Sequence, residues 1–176
     1  MKYNSIAVIY GSDSSEWEVS CRSGEFTASR IDGSRYDVYE IFARFGKWSV
    51  VAYRKKNSMR VVLPENERPQ IDKTDFSVMV AGEKVKFDYA YIMQHGTPGE
   101  NGLLGSYFEL IRMPYSTCPP LISAMTFNKF VLNQYLRSLG VRVAESLTLR
   151  RQDVITVDDV VKAVGLPCFV KPTCGG

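Results

Sequence analysis

The chain begins with a continuous apolar run at residues 6–10, followed at once by turn-forming residues. A short unbroken run of this kind is typical of a buried parallel strand. Ser15 and Glu18 have the spacing of a helix capping box, so we expect a helix over residues 16–31 that ends near Gly33. The pattern therefore predicts the strand, loop and helix that open an α/β unit.

The pattern changes after a second predicted strand at residues 36–42. Several short β-like runs separated by turn residues occupy positions 45–87, and we interpret them as a β-hairpin or meander insertion. A strand at residues 89–93 then returns to the α/β pattern. It leads into the glycine-rich loop 94–102, and the apolar spacing after this loop predicts a helix over residues 103–112.

The Cys-Pro-Pro stretch at residues 118–120 indicates a linker, so we divide the chain into domains at 1–117 and 118–176. The second part should contain an amphipathic helix over 121–139 that ends at Gly140, a strand-like run over 141–149, a helix over 157–164 and a last strand at 168–170. We expect an α/β fold whose first domain has an open, mainly parallel sheet. Because the last strand enters a glycine-rich turn without a hairpin partner, we interpret the chain as a fragment of a longer protein.

Composition and charge exclude several classes of function. The chain has 176 residues with 22 Lys+Arg and 19 Asp+Glu, and its net charge of +3 is too small to indicate a nucleic-acid surface. It lacks the roughly 18–20 consecutive apolar residues of a membrane helix. Four cysteines without a CxxC pair and a single histidine exclude a zinc site of the usual spacing. We expect a cytoplasmic protein that binds neither nucleic acid nor membrane, with no metal ligands in this chain.

Two side chains lie where predicted parallel strands end, which is where open α/β sheets bind ligands. Glu16, in the first turn of the first helix, could hold a substrate ammonium group, although the helix dipole alone favours an acid there by ~0.3–1 kcal/mol. His95 is suited to carboxylate binding or proton transfer, with an ordinary turn residue as the alternative. Glu100 could face His95 or a cation.

Two lysines are candidates for phosphate binding. Lys171 ends the last predicted strand and precedes a glycine-rich loop, whereas Lys129 lies in a helix where lysines usually extend to solvent. Neither belongs to a GxxxxGK[ST] motif, and the loop after the first strand is not GxGxxG. Cys21 and Cys118 are better explained as inert thiols than as nucleophiles paired with His95.

Four segments in order resemble the D-alanine–D-alanine ligases of the ATP-grasp superfamily. They are Gly-Ser-Asp-Ser-Ser-Glu-Trp-Glu-Val-Ser at 11–20 with Ser-Gly at 23–24, Gln-His-Gly-Thr-Pro-Gly-Glu-Asn-Gly at 94–102, the elements from Glu-Leu at 109–110 to Asn-Lys at 128–129, and Leu-Pro-Cys-Phe-Val-Lys-Pro at 166–172. Residues 45–87 match nothing in the family. Asn101 and Asn128 stand where acids are usual, and Tyr10 where a second glycine is common, which leaves the choice of substrate open.

The resemblance implies an ATP-dependent ligase that forms the D-Ala-D-Ala dipeptide for peptidoglycan through an acylphosphate. It implies catalytic roles for Glu16 and His95, which with Val19 would bind the first D-alanine, and nucleotide binding by Lys129 and Lys171. It also implies Mg²⁺, whose ligands would lie beyond residue 176, and a homodimer. The chain as given should be inactive.

Two other interpretations stay open. One is an ATP-grasp carboxylate–amine ligase of the D-Ala-D-Lac or D-Ala-D-Ser type. The other is a non-catalytic docking or dimerisation module.

Overall fold

The computed structural model describes residues 3–175, and they form a mixed α/β structure. Seven strands and five helices lie within these residues. In chain order they are β1 (Ser5–Gly11), α1 (Trp17–Arg30), β2 (Asp37–Arg44), β3 (Lys47–Arg54), β4 (Val61–Val62), β5 (Ser77–Val80), β6 (Glu83–Lys86), β7 (Tyr89–Ile92), α2 (Leu103–Leu110), α3 (Pro120–Phe127), α4 (Lys129–Ser138) and α5 (Val157–Val164), with a 3₁₀ turn at Glu65–Glu67.

The main sheet has the strand order β4-β3-β2-β1-β7. Its centre is parallel, because β1 pairs in parallel with β2 on one side and with β7 on the other. The insertion at 45–87 adds β3 and β4 antiparallel to this core and forms a separate β5–β6 hairpin. The predicted fold class, a mainly parallel α/β sheet with a β-hairpin or meander insertion, is confirmed.

Strand β1 is buried on both faces, which explains its unbroken apolar sequence. One face packs against α1 with Ile6, Val8 and Tyr10. The opposite face, with Ala7 and Ile9, joins a larger core that includes residues of the insertion and of α2. The carboxyl ends of β1 and β7 therefore lie together at one edge of the sheet.

Tyr10 fixes the position of α1 on the sheet. Its ring lies so close to Gly24 of α1 that a Cβ atom on Gly24 would be 2.2 Å from the Tyr10 ring carbon Cδ1. The Tyr10 hydroxyl donates to Glu40 Oε2 at 3.1 Å, and Arg60 forms a two-pronged ion pair with the same carboxylate, with Nε and a terminal nitrogen at 2.5 and 2.7 Å. Glu40 is 98% buried, so this ion pair neutralises a charge inside the fold.

The predicted start and end of α1 are wrong in detail. Glu16 occupies the N-cap position, but its side chain accepts no hydrogen bond from the helix. Its backbone N–H donates to Ser14 Oγ at 3.1 Å. The predicted capping box of Ser15 and Glu18 therefore does not form. The helix ends at Arg30, because Ile31 adopts an extended conformation before Gly33 is reached.

The second half of the chain differs more from the prediction. The helix expected over 121–139 is two helices, because Asn128 is extended and its side chain caps α4 by accepting from the Val131 N–H at 3.0 Å.

Gly140 follows α4 at the predicted C′ position, with a φ of +77°. The Gly140 N–H donates to the Arg137 carbonyl and the Val141 N–H donates to the Leu136 carbonyl, which together form a Schellman motif. Helix α5 has its predicted bounds.

The two strands predicted over 141–149 and 168–170 are wrong, because both segments are irregular. An apolar run becomes a strand only where a neighbouring strand accepts its backbone hydrogen bonds, and no described residue pairs with either segment.

We predict that Gly24→Ala destabilises the protein by about 1–3 kcal/mol, because the new methyl group must displace either α1 or the Tyr10 ring. The matched control is Gly105→Ala in α2, where a Cβ would lie 3.4 Å from the nearest atom. This change should be neutral or stabilising, since alanine favours helix more than glycine does. Urea unfolding of both variants measures the difference, and equal stabilities would contradict the proposed packing.

Candidate functional site at the strand ends

Two loops meet at the carboxyl ends of β1 and β7. The loop after β1 leads into α1, and the loop after β7 leads into α2. A backbone hydrogen bond joins the loops directly, from the Asp13 N–H to the Thr97 carbonyl at 2.9 Å. Crevices at this edge of a parallel sheet are the usual ligand sites of open α/β folds.

Ser20 holds both loops to the first turns of α1. Its side chain is fully buried, and its hydroxyl donates to the Met93 carbonyl at 2.7 Å while accepting from the Gly11 N–H at 3.1 Å. One hydroxyl thus bonds the end of β1 and the residue that follows β7. Because Ser20 bonds both backbone groups, it fixes the ends of β1 and β7 relative to α1.

The side chains predicted for substrate binding lie around this junction. Glu16 is half-buried at the N-terminus of α1, and Val19 is exposed one turn further along. His95 is half-buried in the opposite loop, and its ring nitrogen Nε2 lies 3.3 Å from Ser23 Oγ of α1. The structure therefore brings the loops that carry Glu16 and His95 to the same edge of the sheet.

The Glu100 side chain bonds the backbone of the loop that carries His95. Its Oε2 atom accepts from the Gly96 N–H at 2.7 Å, and its own N–H donates to the Gly96 carbonyl at 2.8 Å. Glu100 therefore closes the loop that carries His95. Asn101 bonds the start of α2, because its amide oxygen accepts from the Leu103 N–H at 3.2 Å.

This arrangement suits a small zwitterionic ligand. A carboxylate from Glu16 can pair with an ammonium group, and an imidazole from His95 can donate to a carboxylate. Both groups are partly accessible, as binding requires. An amino acid is the smallest ligand that carries both complementary charges.

Lys129 and Lys171 lie together at a different place. Both line a cavity of about 450 Å³ between α4, the irregular segment 144–149 and residues 167–173. The Lys129 ammonium donates to the Gly175 carbonyl, and its backbone N–H donates to the Thr173 carbonyl at 2.9 Å. Lys171 is exposed. The cavity is within the size range of small-molecule sites, and both lysines contribute to its lining.

The part of the chain that the structure describes gives little support for a metal site, a membrane-spanning helix or a cysteine nucleophile. Residues 3–175 contain no cluster of three His, Cys, Asp or Glu side chains that could hold a metal ion. No helix within them is long and apolar enough to cross a membrane. Burial, with a contribution from Glu25, raises the pKa of the Cys21 thiol, which makes Cys21 a poor nucleophile.

Sequence reasoning missed the serines of the site. The pattern places Ser12 and Ser14 in a turn and Ser20 in a helix, yet the Ser14 and Ser20 hydroxyls connect the two loops and Ser12 bonds Ser14. The available signal was the density of serines after a buried strand. Because serine is also common in turns and helix caps, its hydroxyl contacts cannot be assigned without the fold.

The strand order and the helices define an α/β domain with a mainly parallel sheet, and comparisons with known proteins identify its family. A family model for the D-ala D-ala ligase N-terminus matches residues 5–118. A D-alanine–D-alanine ligase of Phocaeicola vulgatus is 50% identical over 171 residues, which cover 97% of this chain and 49% of the relative. The chain therefore belongs to the D-alanine–D-alanine ligase family. It spans about half the length of the curated relatives it matches.

Solved structures agree with this assignment at the level of fold. The D-alanine–D-alanine ligase from Bacillus anthracis in complex with ATP has a TM-score of 0.66 at 23% identity, over 98% of this chain and 48% of the other. The VanG D-Ala:D-Ser ligase from Enterococcus faecalis has a TM-score of 0.68 at 23% identity, over 85% of this chain and 46% of the other. Ligases for two different second substrates thus share the fold.

We predict that Ser20→Ala destabilises the protein by about 1–3 kcal/mol, because it leaves the buried Gly11 N–H and Met93 carbonyl without their partner. Ser29→Ala on the same helix is the matched control, since Ser29 is exposed and bonds only the local Phe26 carbonyl. Its effect should be within about 0.5 kcal/mol. Thermal unfolding compares the two, and equal melting temperatures would show that Ser20 does not join the loops.

Proposed function

We propose that the complete gene product containing this chain is an ATP-dependent D-alanine–D-alanine ligase, with the first D-alanine bound at the strand ends. The observation that carries the proposal is the meeting of the Glu16 and His95 loops at one sheet edge, in a chain that is 50% identical to a ligase of this name. Glu16 holds the ammonium group of the amino acid, His95 holds its carboxylate, and Val19 packs beside it.

The reaction joins two amino acids in two steps. A carboxylate oxygen of the first D-alanine attacks the γ-phosphorus of ATP, and ADP leaves. The amine of a second D-alanine then attacks the acyl carbon, inorganic phosphate leaves, and the amine loses a proton to give the dipeptide. Glu16 and His95 contribute by fixing the first carboxylate in one orientation, which lowers the entropic part of the barrier.

The cavity at Lys129 and Lys171 is the proposed nucleotide site of this chain. Ammonium groups and nearby backbone N–H groups stabilise the negative charge of phosphates. Magnesium would accompany ATP in such an enzyme, but the described residues provide no set of carboxylates to hold it. The proposed role of this chain is therefore limited to the amino acid and part of the nucleotide.

We divide the chain into an amino-acid-binding domain at 1–117 and the start of an ATP-binding domain at 118–176. The dipeptide product would serve peptidoglycan synthesis in the cytoplasm, and the enzyme would act as a homodimer. A D-Ala:D-Ser or D-Ala:D-Lac ligase is the second candidate, because the fold is shared with a D-Ala:D-Ser enzyme. Relatives of 39–50% identity that carry the name D-alanine–D-alanine ligase favour the first candidate.

The test is D-alanine-dependent ADP release by the complete gene product, with Glu16→Gln and His95→Ala beside the wild type. Each variant should lose at least about tenfold in kcat/KM for D-alanine, the effect of one charge-assisted contact, with the KM for ATP unchanged. Glu18→Gln is the matched control, since Glu18 is an exposed acid in the same helical turn.

Three results would contradict the proposal in different ways. Turnover only with D-serine or D-lactate as the second substrate would select the second candidate. Turnover with D-alanine that is equal in all variants would move the amino-acid site away from this edge. Absence of turnover with every acid would favour a non-catalytic docking or dimerisation module.

A further inference from the structure

The Ser14 hydroxyl connects the two residues proposed to bind the amino acid. It lies 2.8 Å from the backbone carbonyl of His95 and 3.1 Å from the backbone nitrogen of Glu16. It also lies 3.0 Å from the hydroxyl of Ser12. Ser14 thus contacts the backbone of both residues from one atom.

The direction of each bond follows from the atoms involved. A hydroxyl has one proton to donate and two lone pairs. The His95 carbonyl can only accept, so the Ser14 proton is used there. The Glu16 N–H can only donate, so it occupies one lone pair. The remaining lone pair must accept from Ser12, and the Ser14 hydroxyl is then fully satisfied.

Ser12, whose hydroxyl donates to Ser14, has an unusual backbone conformation. Its φ is +120°, a region that residues with a side chain rarely adopt, and its side chain is completely buried. Glycine would adopt the same backbone without strain. The serine therefore tolerates strain at a position where its hydroxyl supplies the third bond to Ser14.

The loops are also in close contact at this point. A Cβ atom on Gly96 would lie 2.6 Å from Ser14 Cβ, so the residue after His95 has to be a glycine for the loops to approach this closely. The Ser14 hydroxyl and this van der Waals contact therefore act at the backbones of 16 and 95 themselves, beside the Asp13–Thr97 hydrogen bond that also joins the two loops.

We infer that Ser14, with Ser12 as its hydrogen-bond donor, is a positioning residue that fixes the separation of Glu16 and His95 at the amino-acid site. The inference rests on the proposed function. Neither serine touches the amino acid. Both act through the backbone of the residues that do, so their loss should affect the amino acid and leave the nucleotide cavity at Lys129 unaffected.

The kinetic test uses the complete gene product with Ser14→Ala, Ser12→Gly and the exposed neighbour Ser15→Ala as the matched control. Ser14→Ala should lower kcat/KM for D-alanine by about tenfold or more, because three polar groups lose their partner, with the KM for ATP unchanged. Ser15→Ala should stay within about twofold.

Ser12→Gly separates positioning from stability. It removes both the hydroxyl and the strain, so kcat/KM for D-alanine should fall while the melting temperature stays the same or rises. A purely structural role would lower both together. Wild-type kcat/KM in Ser14→Ala, or a loss in Ser12→Gly that follows a lower melting temperature, would overturn the inference.

Hydrogen exchange distinguishes failure of this inference from failure of the proposed function. Peptides covering residues 12–17 and 94–101 should exchange faster in Ser14→Ala than in Ser15→Ala, whether or not the wild type uses D-alanine. Absence of wild-type turnover together with faster exchange would refute the ligase proposal and retain the coupling of the two loops. Equal exchange in the two variants would overturn the coupling itself.

Discussion

The contact between the Tyr10 ring and Gly24 is the constraint on which the rest of the structure depends. It seats α1 directly on β1, at a distance that any larger residue at 24 would prevent. The buried Glu40 carboxylate and Arg60 hold the Tyr10 hydroxyl from the other side. Burial and the Glu40 charge raise the pKa of Tyr10, so it stays protonated and keeps donating. The position of α1, and of every group on its first turns, follows from this packing.

The position of the proposed amino-acid site follows from where α1 begins. Ser20, on the second turn of α1, bonds the ends of both central strands, and Ser23 lies against the His95 ring. Ser14 then links the backbones of Glu16 and His95. The groups proposed to bind an amino acid are therefore held in place by hydroxyls of α1 and of the loop before it. Preorganisation of this kind lowers the entropy lost on binding.

Patterns that depend on burial were predictable from the sequence, and contacts between distant segments were not. The apolar run of β1, the hairpin insertion, and the helices α1, α2 and α5 were predicted because their periodicity reflects the face that each buries. The break at Asn128 was missed, since apolar spacing continues across it and only the cap shows the interruption. The runs at 141–149 and 168–170 lack paired neighbours, which local pattern cannot reveal. Glu16 and His95 can be proposed as site residues from their place after strands, whereas the contacts of the serines between them require the fold.

The central claim is that the edge of the sheet between α1 and the His95 loop holds the first D-alanine. A crystal structure of the complete gene product with D-alanine and a non-hydrolysable ATP analogue tests this claim most directly. The account predicts density for an amino acid whose ammonium group contacts the Glu16 carboxylate and whose carboxylate contacts the His95 ring. D-alanine bound elsewhere, with neither side chain in contact with it, would contradict the account.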